Sequence, residues 1–124
     1  MFDYRNLNVW WRAKEMVRAV YELTAGYPPS ERYGLTAQSR RAVVSIAANL
    51  AEGAGRRGSA EFARFVDIAT GSAYELECHL LLAHDLRMIG DDELRRAMSR
   101  LDEIKRMLIG LGRRLRARKE ADKA

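Results

Sequence analysis

A chain of 124 residues has room for one domain around a single core and can hold that core without covalent staples. One cysteine, Cys78, excludes an internal disulfide framework and suits a reducing compartment, and the alternation of apolar and polar residues that marks strands is absent. The formal charge is +5, of which Arg113 to Ala124 carries +4 through six basic and two acidic residues, so the basic balance is mostly a tail.

The first residues, Met1 to Asn6, mix Asp3 with Arg5 and hold no apolar signal-peptide core. The longest uncharged stretch, Ala42 to Ala51, has ten residues, about half of what a membrane helix needs. The expectation is a soluble, cytoplasmic, all-α protein with no membrane contact.

The first helix is predicted over residues 9–25, with Asn8 as its N-cap. Val9, Ala13, Met16, Val20 and Leu23 keep the spacing of a bundle seam, and Pro28 with Pro29 ends the run. The second helix is predicted over residues 35–53, stopping at a glycine-rich turn that holds Arg56 and Arg57. Its core stripe is Leu35, Ser39, Ala42, Ile46, Leu50 and Gly53. The opposite face, instead of being charged, carries Val44, Ala47, Ala48 and Ala51. A helix apolar on two sides must be covered on both, so a second subunit or another helix is expected there.

Ser59 reads as the N-cap of a third helix over residues 59–89, where Phe62, Val66, Ala69, Ala73, Leu76, Leu80 and Ala83 hold a 3.5-residue repeat. Gly71 interrupts it at a cost of about 1 kcal/mol relative to alanine, which predicts a close approach at that point. Gly90 closes the helix. Asp91, Asp92 and Glu93 open a fourth over residues 91–115, and residues 116–124 are expected to fray as a basic tail. Short connections make residues 1–115 one antiparallel up-down-up-down four-helix bundle.

Four blocks of residues carry a resemblance: Leu7 to Ala13 (LNVWWRA), Glu31 to Gln38 (ERYGLTAQ), Arg40 to Gly53 (RRAVVSIAANLAEG) and Glu61 to Glu77 (EFARFVDIATGSAYELE). Together they resemble the family called four-helix bundle protein, the 23S rRNA intervening-sequence proteins. Trp11 departs from the family pattern, where glutamine is common, as do Ala47 and Ala48, where proline and serine are frequent. The resemblance implies a homopentameric ring around a central channel. The chain is also similar to the accessory protein of diversity-generating retroelements, a basic pentamer that binds nucleic acid and partners a reverse transcriptase. It implies no catalytic residue.

Between the apolar faces of the second helix runs a polar line, Gln38, Arg41, Ser45, Asn49 and Glu52, matched on the third helix by Ser72, Glu75 and His79. Partly buried polar groups need partners, so a network such as Arg41 to Glu75 is expected, fixing register more readily than holding a small ligand or phosphate. Gly71, Ala47, Ala48 and Ala51 are the close-packing candidates. Arg56, Arg57, Arg113, Arg114, Arg116, Arg118 and Lys119 are candidates for sequence-nonspecific contact with the phosphate backbone of RNA or DNA, against the alternative of a solvated surface on a protein-interaction scaffold. Arginine outnumbers lysine 18 to 4, which suits phosphate forks, though a GC-rich coding bias produces the same ratio.

Cys78, His79 and His84 lack the companions that a zinc or di-iron site needs. Cys78 therefore reads as a small buried hydrophobe and His79 as a hydrogen-bonded interface residue. No cofactor and no enzymatic activity are expected. Tyr4, Trp10, Trp11, Tyr21, Tyr27 and Tyr33 read as core or inter-subunit anchors, with base stacking as the lesser alternative.

Overall fold

The computed structural model describes the backbone from residue 2 to residue 123 and the side chains from residue 2 to residue 118. Four helices account for most of it: α1 (Asn8–Thr24), α2 (Leu35–Ala54), α3 (Ser59–Asp85) and α4 (Asp91–Lys123), with no strand among the described residues. The four apolar stripes meet in one core. Val9, Ala13, Met16 and Val20 from α1 close on Ile46 and Leu50 from α2, on Phe62, Val66, Leu76 and Leu80 from α3, and on Leu101, Ile104, Leu108 and Leu115 from α4. Each large side chain so removed from water contributes roughly 1.5–3 kcal/mol, which is why spacing alone was enough to find these helices.

The ends of the helices depart from expectation in instructive ways. Asn8 and Ser59 are first helical residues, not caps: Leu7 and Gly58 stand before them without a side-chain cap bond, and Gly58 takes a φ of 87° that suits glycine. The third helix stops at Asp85, four residues short of the predicted Ile89, because Arg87 turns the chain into the left-handed region at φ 62°. Arg87 N–H donates to the His84 carbonyl at 3.0 Å and Met88 N–H to the Ala83 carbonyl at 2.8 Å, the paired bonds of a Schellman stop. Ile89, in the turn, is nevertheless buried in the core, so the apolar pattern outruns the helix. His84 Nε2 lies 2.6 Å from Asp91 Oδ1, bridging the turn and holding the Asp91 carboxyl below the usual carboxylate range. A side chain in the left-handed region costs roughly 1–2 kcal/mol, so Arg87→Gly is expected to raise the urea midpoint by about 1 kcal/mol of stability.

Beyond Leu115, where fraying is expected, the α4 backbone stays helical to Lys123. Leu111 and Leu115 are buried, and Arg116 Nη1 reaches Asp67 of α3 at 3.0 Å. Further back, Lys105 pairs with Glu77 and with Asp102 and lies 4.7 Å above the Tyr74 ring. At the other junction Arg40 Nε donates to Thr24 Oγ1 at 2.9 Å while its guanidinium stacks 4.4 Å from the Tyr21 ring, joining the end of α1 to the start of α2.

Within one chain, close approach occurs at another glycine, Gly53. A Cβ at Gly53 would stand 2.6 Å from the Phe65 Cβ and 3.1 Å from Phe62 Cδ1, so α2 and α3 touch there as only glycine allows. A Cβ at Gly71 would meet nothing within 4 Å, and Gly71 is exposed. Within one chain no neighbour approaches it.

Candidate functional site

The N-terminal segment shows how arginines far apart in sequence come together. Phe2 N–H donates at 2.8 Å to the carbonyl of Ala54, the last residue of α2, and the Phe2 ring lies 5.5 Å from the Phe62 ring at the start of α3. Arg118 of α4 places its guanidinium carbon 5.3 Å from the same Phe2 ring. Arg56 and Arg64 both cover Phe65, at 5.1 and 4.8 Å. Asn6 to Val9 and Arg106 to Arg114 line opposite sides of one open groove. The end of α2, the starts of α1 and α3 and the last turns of α4 thus share one end of the molecule.

That end collects Arg5, Arg56, Arg57, Arg64, Arg113, Arg114, Arg116 and Arg118. The carboxylates there are each taken by an arginine: Asp3 by Arg5 at 2.9 Å, Glu52 by Arg56 at 2.9 Å, Glu61 by Arg64 at 3.3 Å and Asp67 by Arg116 at 3.0 Å. The Arg5 hydrogen bond also pulls the Asp3 carboxyl below its usual range. Arg57, Arg113, Arg114 and Arg118 are exposed and have no acidic partner among the described residues. Among the described residues, eight guanidinium groups against four carboxylates leave a surplus of four positive charges at one end. Such an end attracts polyanions in a salt-dependent way. Of the residues expected there, the Lys119 side chain lies outside those described.

The polar line assembles only in part. Ser45 Oγ and Ser72 Oγ share a hydrogen bond of 2.8 Å between α2 and α3, and Asn49 Nδ2 donates to Ser45 Oγ at 2.9 Å and to the Ser45 carbonyl at 2.8 Å. The Arg41 to Glu75 pair does not form. Arg41 points to solvent, and Glu75 instead meets His79 Nε2 at 3.2 Å one turn along its own helix. Glu52 is likewise claimed by Arg56, and Gln38 is half-buried without a side-chain hydrogen bond among the described residues. Helical spacing favours i,i+4 partners, which are already in position, over a cross-helix partner that must be reached. The three-residue cluster links two helices and has nothing reactive in it.

Cys78 is exposed, not buried, and sits on the outer face of α3 with Gly71 and Leu82. His79 is mostly buried, and its Nδ1 has no partner among the described residues. Among the described residues no three His, Cys, Asp or Glu side chains gather closely enough to hold a metal ion. Among the described residues no helix is long and apolar enough to cross a membrane. An open groove of about 490 Å³ runs between α1 and α4, with Arg12, Arg18, Arg100, Glu15, Glu22 and Glu103 on its walls. Mixed charge at that density is what a solvated seam carries.

Of the aromatics, Tyr27 is buried and Tyr4 and Trp10 pack against the core, while Trp11, Tyr21 and Tyr33 stand out from the surface. Phe2, which helical periodicity does not reach because it precedes α1, turns out to tie three helix ends together. Its only sequence signal is an apolar residue placed before a charged turn.

These features define a helical bundle with one arginine-rich end. Residues 5–110 match the model of the family described as 23S rRNA-intervening sequence protein, and the chain belongs to that family. Among solved structures it shares its fold with a protein with unknown function from the S23 ribosomal protein family of Bacteroides thetaiotaomicron. That match has a TM-score of 0.75 and 23% identity, covering 83% of this chain and 96% of the other. No curated protein matches the chain.

Proposed function

We propose that this protein is a non-enzymatic, homo-oligomeric bundle that holds RNA or DNA by the phosphate backbone, without reading sequence. The observation that carries this is that Arg57, Arg113, Arg114 and Arg118, on one end, have no acidic partner among the described residues. Guanidinium groups left without carboxylates retain their forks for phosphate oxygens. Filter binding of RNA and DNA at low and physiological salt tests it, and no retention at about 50 mM salt would remove the proposal.

The bundle is proposed to run up-down-up-down. Ser45 meets Ser72 while Gly53 meets Phe62, and Lys105 meets Glu77 while Arg116 meets Asp67, so numbers fall on one helix as they rise on its neighbour. A homopentameric ring is proposed as the assembly, repeating the basic end five-fold. Its support is an outward strip on α2 and α3 where Val44, Ile68 and Leu82 remain 41%, 41% and 45% exposed, with Ala48 and Gly71 beside them and Ala47 and Ala51 half-buried. Gly71→Leu separates a free strip from an interface. One chain has open space there, so the fold is expected to keep its melting temperature or gain about 1 kcal/mol from helix propensity. The particle seen by light scattering is expected to fall to 14.1 kDa. An unchanged assembly would place the contact elsewhere, and a wild-type particle already of that size would end the oligomer proposal.

The rival is a protein-interaction scaffold that meets no nucleic acid. It is favoured by the same apolar strip and by the four carboxylates that already neutralise half of the arginines. Polynucleotide retention separates the two.

A further inference from the structure

Two aromatic rings at the arginine-rich end are both exposed and held still. Phe2 is 40% exposed, yet its backbone is tied to Ala54 and its ring leans on Phe62 at 51°. Trp11 is 45% exposed, yet its Nε1 donates to the Arg5 carbonyl at 2.8 Å and its ring meets Trp10 edge-on at 4.9 Å. Each also has a cation over it: Arg118 at 5.3 Å from Phe2 and the Lys14 ammonium at 5.2 Å from Trp11. A fixed, half-open π-face loses little freedom when a flat partner settles on it.

Phe65 provides the contrast. It is only 6% exposed beneath Arg56 and Arg64, so it orients guanidinium groups and has no open face to offer as a platform. The Tyr21 and Arg40 stack and the Tyr33 and Arg32 stack sit by the connection from α1 to α2, away from this end.

A duplex keeps its base faces inside the stack and presents phosphates and base edges, whereas a single strand presents phosphates and base faces together. Stacking accepts any base, which agrees with the lack of a base-reading motif. We infer that the arginine-rich end selects single-stranded nucleic acid, with Phe2 and Trp11 as stacking platforms and Arg57, Arg113, Arg114 and Arg118 along the backbone. This rests on the phosphate-binding proposal above.

The test compares a labelled oligothymidylate with a blunt duplex of equal length, by anisotropy at one low ionic strength. Phe2→Leu and Trp11→Leu keep apolar bulk while removing the ring, and circular dichroism verifies that both variants fold. The wild type is expected to prefer the single strand, and each variant to bind it roughly tenfold more weakly with duplex affinity unchanged. Independently of any variant, the single strand is expected to quench tryptophan emission and the duplex to leave it alone. Equal affinity for both polymers, equal losses on both, or a bound single strand that leaves the emission unchanged would overturn the stacking inference and leave backbone binding standing. Retention of neither polymer would overturn both.

Discussion

Replacing Gly53 with alanine is expected to cost about 2 kcal/mol of stability, a large effect for one added methyl. The added methyl would stand 2.6 Å from the Phe65 Cβ, an atom fixed to the α3 backbone, and 3.1 Å from the Phe62 ring. Neither can swing away as the end of a long side chain does, so α2 and α3 must separate. Overpacking of this kind costs roughly 1–3 kcal/mol, and alanine returns about 1 kcal/mol at most through helix propensity. The loss is read as a lower urea midpoint at constant slope. A midpoint equal to or above that of the parent would mean that the two helices are not in contact at Gly53. The matched substitution at Gly71 runs the other way in one chain, because no atom lies within 4 Å of the new methyl.

Changing Arg57, Arg113, Arg114 and Arg118 together to glutamine is expected to remove most of the affinity for polynucleotides. Four phosphate contacts predict that wild-type binding weakens by about two orders of magnitude between roughly 50 and 200 mM salt, with each arginine adding about one to the logarithmic slope. The fourfold variant should lose that slope and bind weakly at all salt concentrations. All four side chains are exposed and lack acidic partners among the described residues, so the melting temperature should hold. Truncating the chain before Arg113 would be a poorer test, because it also removes Leu115 from the core and the Arg116 to Asp67 bridge. A fourfold variant that binds with the parental salt dependence would remove this end as the site.

The helices and their buried stripes were legible because burial imposes a repeat, and the repeat is written in single residues such as Met16, Ile46, Leu76 and Leu108. What escaped was decided by geometry that no periodicity encodes. Gly53 and Gly71 look alike in sequence, but only their positions relative to Phe62 and Phe65 tell which one a neighbour touches. The end of α3 was overrun because Leu86, Met88 and Ile89 continue an apolar pattern through a left-handed Arg87, where glycine would have announced the stop. Cys78 departs from what its residue type suggests: cysteine is usually buried, yet here it falls on the ridge of α3 that the core does not reach. The arginines were visible as two clusters. That they share one end depends on contacts between chain-distant atoms, above all those of Phe2.

The groove between α1 and α4 bears on how the molecule comes apart. Open space follows this seam from Asn6 and Arg114 past Arg12 and Glu103 to Leu23 and Glu93, whereas α2, α3 and α4 pack along their lengths. Helix α1 is therefore held more closely by α2 than by α4, which it meets through the core and the Arg12 to Glu103 bridge, and is the natural first piece to swing outward while the other three stay together. In that hinged state Met16 and Val20 leave a vacancy shaped for an identical helix, so crowded copies have a route to exchanging their first helices.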